Sequence, residues 1–216
     1  GVIAHQLKQP LNILSSYCND VKDSFFSNEI NNKFIDDFSK NTKEQINFLS
    51  ETIDDFRDFF NPNKQKVVFE IKSAIEKSLK FMGNQFEMNR VKINIEYKDE
   101  KVYGIETELE QVILNILNNS MDAFKERKIE NKEINIKVLS KQSYTILIME
   151  DNAGGVKEES LEKIFDPYYT TKSTGTGTGL YMVKLVVKNS LQGDLKINNS
   201  EKGLRYIIAL PQKEES

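Results

Sequence analysis

One cysteine and one histidine occur among 216 residues. With Cys18 alone there is no intrachain disulfide, and with His5 alone no Cys/His metal cluster can be assembled; such cysteine usage fits a reducing compartment. Basic charge is not in surplus either: 30 Lys and Arg stand against 33 Asp and Glu, a net charge of −3. A general nucleic-acid binder needs a basic face to displace counterions, so that class is disfavoured. No apolar run reaches the length that spans a bilayer, and no signal peptide is visible. The expected location of these residues is cytoplasmic. The sequence begins at Gly1, and a membrane segment upstream in a longer protein is compatible with it. Apolar residues make up 38% and include 13 Phe, enough for a sizeable core in one large domain or two small ones.

The chain divides by period. Leu7, Leu11, Leu14, Cys18, Val21 and Phe25 alternate steps of four and three, a heptad seam, and Ile35, Phe38, Thr42, Ile46, Leu49, Ile53, Phe56 and Phe60 continue the pattern. The polar "SNEINN" from Ser27 to Asn32 separates them, so residues 1–62 read as an antiparallel helical hairpin. One hairpin cannot cover both apolar stripes. Two copies forming a four-helix bundle would, so a homodimer is expected, with packing onto the rest of the chain as the alternative. "NPNKQK", with Pro62, ends the second helix and marks the boundary. Residues 67–213 mix periods. "VVFE", "VKINIEY", "EINIKVLS", "YTILIME", "DLKINNS" and "LRYIIAL" read as strands. Ile71–Met82, Leu109–Phe124 and Leu180–Ser190 read as helices, with Thr107 and Glu110 as a capping box for the second. The class is α+β, a mixed sheet with helices on one face.

Three stretches carry possible chemistry. In "ELEQVILNILNNSMDAF", Leu109, Val112, Ile113, Ile116, Leu117, Met121 and Phe124 make an apolar face, opposed by a polar stripe of Gln111, Asn115, Asn119 and Asp122. Amide oxygens can ligate Mg²⁺, a hard cation that also borrows phosphate oxygens. In "MEDNAGGV", Asp151 closes an apolar strand and could accept a hydrogen bond from an exocyclic amine such as adenine's, with Gly154 and Gly155 turning the backbone. In "TTKSTGTGTGLYMVKLVV", Gly175, Gly177 and Gly179 precede a helix, where backbone N–H groups can approach phosphate, and Lys172 adds a charge. Neither Rossmann nor Walker A spacing fits this run. Taken singly, these are equally a solvated helix face, an ordinary turn and a flexible loop.

Together, their order and spacing resemble the GHKL ATP-binding fold, most closely the catalytic core of sensor histidine kinases. "NILNNSMDA" resembles that family's N box, "DNAGGV" its first glycine box, "IFDPYYTTK" its F box and "GTGTGL", ending at Leu180, its second glycine box; Gly203 holds the place of a further glycine motif. "HQLKQPLN" resembles the phospho-acceptor box, so the likeness covers nearly the whole chain. It implies a dimerisation and phosphotransfer hairpin followed by an α/β-sandwich catalytic domain. Asn119 would be the Mg²⁺ ligand, Asn115 a support for the phosphates, Asp151 the adenine reader and Gly155 the glycine close against the base. Gly177 and Gly179 would cradle phosphates, and residues from about Lys157 to Thr176 would form a lid in which Tyr168 and Tyr169 pack. Ala153 stands where the family commonly has glycine, a place where a small residue suffices, and Asp122 where many relatives carry a basic residue, so no phosphate contact is carried over to Asp122 from the family.

The same resemblance gives the lone histidine a role. With Leu7 at heptad position d, His5 falls at b, off the seam, and Pro10 is expected to kink the helix just beyond it. His5 would be the phosphorylated residue. Gln6 replaces the usual acidic neighbour that accepts the imidazole proton; since an ordinary histidine pKa of roughly 6.5 leaves most of the ring neutral at pH 7, slower phosphorylation is expected rather than none. Gln9, one turn on, stands where relatives use an amide or hydroxyl to aim water at a partner's aspartyl phosphate. The implied activity is an ATP·Mg²⁺-dependent protein-histidine kinase. It would autophosphorylate His5, with domain rotation about Asn61–Lys66, and pass the phosphoryl group to an aspartate of a response-regulator receiver domain, with phosphatase activity toward that regulator. An upstream sensor domain is also implied. Two alternatives stand: a GHKL-type ATPase, disfavoured because Asn115 replaces the glutamate that activates water, and a nucleotide-binding dimeric scaffold, favoured by Gln6.

Overall fold

The computed structural model describes residues 2–27, 29–59, 65–170 and 177–213, with the side chains of 2–10, 48 and 51–59 left out. The chain forms two compact units, Gly1–Pro62 and Asn63–Ser216.

The first unit is two helices in contact, α1 (Val2–Phe26) and α2 (Asn32–Phe59). The polar turn between them is closed by Asn31, whose Oδ1 accepts the Phe34 N–H at 2.9 Å and caps α2. Within a single hairpin the heptad positions are covered unevenly. Leu14, Tyr17, Val21 and Ser24 of α1 are half-buried, as are Phe34, Phe38, Thr42, Gln45 and Leu49 of α2. Leu11, Cys18 and Phe25, assigned to the same seam, are exposed, and so are Ile35 and Ile46. Each helix meets its neighbour along one flank of its apolar stripe, and the other flank stays open. No described side chain of this unit is fully buried.

The second unit holds the core. Strands β1 (Val67–Glu70) and β3 (Lys101–Gly104) pair antiparallel as a small separate sheet. The main sheet has the order β2–β4–β5–β7–β6, built from β2 (Val91–Glu96), β4 (Lys132–Lys141), β5 (Tyr144–Asp151), β6 (Asp194–Asn199) and β7 (Leu204–Pro211). β2 and β4 are parallel and the other neighbours antiparallel, so the sheet is mixed. Alternation sends Ile134, Ile136, Val138, Leu147, Met149, Tyr206, Ile208 and Leu210 to one buried face. Against it lie α3 (Ile71–Asn89), α4 (Glu106–Glu126) and α6 (Gly179–Leu185); a four-residue helix, α5 (Glu158–Leu161), lies outside that layer's sequence pattern. α4 touches both α3 and α6.

Sequence pattern located the elements better than their ends. α3 continues past Met82 because Phe86, one turn on, is also buried; it stops at Arg90, which takes a left-handed φ of 55°. α4 begins before Thr107, which therefore lies inside the helix and caps nothing: the capping position is Ile105, without a side-chain bond. The last predicted helix is α6 plus a π-helical turn, Val186–Ser190. There the Leu191 N–H reaches back five residues to the Val186 carbonyl, and the wider turn keeps Val186, Val187 and Leu191 all buried. β3 was missed; four residues with one buried valine leave little alternation to read.

Candidate functional site

The alternation of β5 determines where Asp151 points. Thr145, Leu147, Met149 and Asp151 share one face, so the strand's final inward position is a carboxylate, only 4% exposed, at the end of an apolar layer. Three donors hold it. The Ser120 hydroxyl donates to Oδ2 at 2.9 Å; the Ala153 and Leu204 N–H groups donate to Oδ1 at 2.9 and 3.3 Å. Ser120 was absent from the sequence reading. It is buried on α4 where Met121, expected on the apolar face, is only half-buried. Its signal was present: Ser120 lies four residues after Ile116 and four before Phe124, on the buried flank.

Close backbone approach explains two glycines, one beside Asp151 and one beside Tyr168. Gly203 stands so near that a Cβ would lie 1.9 Å from the Asp151 carbonyl oxygen; no other residue fits. Gly177 has φ 66°, and a Cβ there would come within 2.3 Å of the Tyr168 carbonyl carbon. Tyr168, itself at φ 68°, donates its N–H to the Gly177 carbonyl at 3.0 Å, so the two ends of the 169–176 segment meet. Tyr169 is tied to α5, its hydroxyl donating to Ser160 Oγ at 2.7 Å.

The turn after Asp151 is clamped from two directions. Arg127, just beyond α4, donates from Nη1 to the Ala153 carbonyl. Asn199, at the end of β6, accepts the Val156 N–H at 2.9 Å and donates to the Val156 carbonyl at 2.7 Å. Neither residue was singled out by sequence; each acts through backbone groups 26 and 43 positions away, a pairing no local pattern carries.

These elements enclose a cavity of about 210 Å³. Asn115, Asn119, Asp151, Gly155, Gly177, Gly179 and Leu180 all line it. A Cβ on Gly179 would sit 3.6 Å from Asn115 Oδ1, which places the start of α6 beside the asparagine stripe. That stripe is not a solvated face: Gln111, Asn115 and Asn119 are half-buried, and only Asp122, also at the cavity, is exposed. Lys172 and Gly175 fall outside the described residues. His5, Gln6 and Gln9 lie on α1, in the other unit, and their side chains fall outside the described ones.

Among the described residues no group of three or more His, Cys, Asp or Glu could hold a metal ion. The cavity instead offers neutral amide oxygens on Asn115 and Asn119. That donor set suits a hard cation arriving with phosphate oxygens and keeping water, which is how Mg²⁺ accompanies a nucleotide.

Residues 104–214, from the end of β3 through β7, match the family described as histidine kinase-, DNA gyrase B-, and HSP90-like ATPase; the match spans just over half the chain, and the chain belongs to that family. Within it, the likeness to sensor histidine kinases runs through both units. Sporulation kinase B of Bacillus subtilis (strain 168) is 26% identical over 214 residues, 97% of this chain and 48% of that protein. This chain thus spans less than half the length of that relative. In fold, it matches the Acinetobacter baumannii histidine kinase AdeS with a TM-score of 0.70 at 19% identity, over 97% of this chain and 98% of that one. It also matches histidine kinase ThkA, solved in complex with response regulator protein TrrA, with a TM-score of 0.66 at 20% identity, over 98% of this chain and 60% of that one. No described helix is long and apolar enough to cross a membrane.

Proposed function

We propose that the chain is the core of an ATP-dependent protein-histidine kinase of a two-component system, with His5 as the phosphorylated residue. The observation that supports it most is the single cavity shared by Asn115, Asn119, Asp151, Gly155, Gly177, Gly179 and Leu180. Asp151 accepts from the adenine amine, and Ser120 and two backbone donors keep its carboxylate aimed. Asn119, aided by Asn115, would hold Mg²⁺, which neutralises phosphate charge when bound. Gly177, Gly179 and Leu180 would present backbone to the phosphates, with Lys172 and Gly175, which lie outside the described residues, assigned to the same role by the family resemblance alone. In the reaction a neutral His5 nitrogen attacks the γ-phosphorus; a nitrogen–phosphorus bond forms, the bridging oxygen bond breaks and ADP leaves. Positioning and charge neutralisation are the main protein contributions to such transfers.

The phosphoryl group then passes to an aspartate of a receiver domain, a step supported by the ThkA–TrrA complex. Gln9 aims water at that aspartyl phosphate in a separate hydrolysis, in which the acyl-phosphate O–P bond breaks and inorganic phosphate leaves with the aspartate restored. Two copies pair their hairpins into a four-helix bundle, and use of ATP places these residues in the cytoplasm, downstream of a sensor domain. Incubation with γ-labelled ATP tests the reading: an acid-labile, alkali-stable protein label, lost in His5→Ala, is expected. Free phosphate without protein label would mean an ATPase, and nucleotide binding with neither would mean a scaffold.

A further inference from the structure

The base end of the cavity contains a polar group that the nucleotide reading leaves unused. Tyr206 stands on β7, opposite Met149 of β5 and one inward rung from Asp151. It is 2% exposed, yet it lines the cavity together with Asp151. Its ring fills the apolar layer between sheet and helices, which a phenylalanine would fill equally well. Among the described residues its hydroxyl makes no hydrogen bond, and it is open to the cavity rather than sealed in the apolar layer. Burial pushes its ionisation well above the ordinary phenol range, and the Asp151 carboxylate nearby pushes the same way. The group is therefore an O–H donor at any ordinary pH. A donor at a cavity wall keeps water until a ligand acceptor takes its place. The layer around Tyr206 is apolar, and the cavity is where an acceptor can enter.

We propose that Tyr206 is a specificity-determining residue for the nucleotide base, donating its hydroxyl proton to a ring nitrogen of adenine while Asp151 accepts from the adjacent amine. This inference rests on the reading of the cavity as an adenine-nucleotide site. Adenine carries its N6 amine donor between two ring acceptors, N1 and N7. An acceptor and a donor side by side on the protein match either edge. Guanine puts an oxygen acceptor in place of the amine, so it faces the carboxylate with like polarity.

The test uses the intact chain, Mg²⁺ and ADP, which binds the same base pocket without turnover. Thermal unfolding first establishes that Tyr206→Phe is folded. Calorimetry is then expected to show ADP binding to Tyr206→Phe about fivefold to tenfold more weakly than to the unmodified chain, the range for one lost neutral hydrogen bond. Either 1-deaza-ADP or 7-deaza-ADP should show the same loss against the unmodified chain and no additional loss against Tyr206→Phe. Equal ADP affinity for the two proteins, or deaza losses that simply add to the Tyr206→Phe loss, would overturn the proposal while leaving the nucleotide site intact. Absence of ADP binding to the unmodified chain would instead overturn the nucleotide reading beneath it.

Discussion

At Asp151 a carboxylate takes the place of the next apolar residue in an inward-facing series. Burying it without partners would be costly, and three donors offset that cost. Those donors occupy particular lone pairs and leave the carboxylate oriented, which is what recognition of a flat base requires. Asp151→Asn keeps the shape but replaces one acceptor oxygen by an amide donor. Calorimetry should then show adenine-nucleotide affinity reduced about tenfold to a hundredfold, the range for a hydrogen bond to a charged group, with the fold intact by circular dichroism. Affinity within twofold of the unmodified chain would remove Asp151 from the base site. In the other unit, Gln6 can accept a hydrogen bond but cannot take a proton as a carboxylate does. Gln6→Glu is expected to raise the initial rate of His5 labelling severalfold, within the roughly hundredfold typical of general-base help. An unchanged rate would mean that the proton leaves by another route.

Elements were legible where one period ran long enough. β4, β5 and α4 each carry several apolar positions at a single spacing, and all three were recognised. The glycine and asparagine boxes were legible because each is a short contiguous run whose residue types and spacing resemble the family's, and their meeting in one cavity is a matter of β5, α4 and α6 converging. Illegible were contacts made across distance: Ser120 to Asp151, Arg127 to Ala153 and Asn199 to Val156 join segments whose neighbourhood only the sheet order creates. The same order makes a testable rung between β5 and β7. Glu150 faces Arg205, with a 2.7 Å contact from Nε to Oε2. Burial raises the Glu150 pKa, but hydrogen bonds and the Arg205 charge outweigh it and hold the carboxyl below its ordinary value of 4.5. A carboxyl whose folded pKa is depressed adds stability above its unfolded pKa and loses it as pH falls through the folded one. Chemical denaturation should therefore find Glu150→Gln less stable at pH 7 by roughly 0.5 kcal/mol, a screened value for a partly exposed pair, with the gap closing below pH ~4. A gap independent of pH would show that the pair contributes by packing alone.

For the whole molecule, the two units differ in how they are stabilised. The second has a continuous buried layer between sheet and helices; the described part of the first has no fully buried side chain. Its helices nonetheless expose Leu11 at 53%, Phe25 at 66%, Ile35 at 47% and Ile46 at 48%. Two helices touching along one flank hide too little apolar surface to offset the entropy of ordering more than 50 residues. On the proposed reading, a second copy of the same hairpin would supply a matching apolar flank under twofold symmetry and would turn both open flanks into the interior of a four-helix bundle. Folding of the first unit is then linked to association, so its melting temperature should rise with protein concentration. Sedimentation of the intact chain is expected to give a dimer at micromolar concentration. Leu11→Glu with Ile46→Lys, which put charge on the open flanks and leave the α1–α2 contact alone, should shift it to monomer and lower the helical content of the hairpin. The nucleotide affinity of the second unit should stay within about twofold, since its core and cavity are internal to it. A chain that sediments as monomer without these substitutions, with its hairpin still helical, would mean that something other than a second copy covers the exposed leucine, isoleucines and phenylalanine.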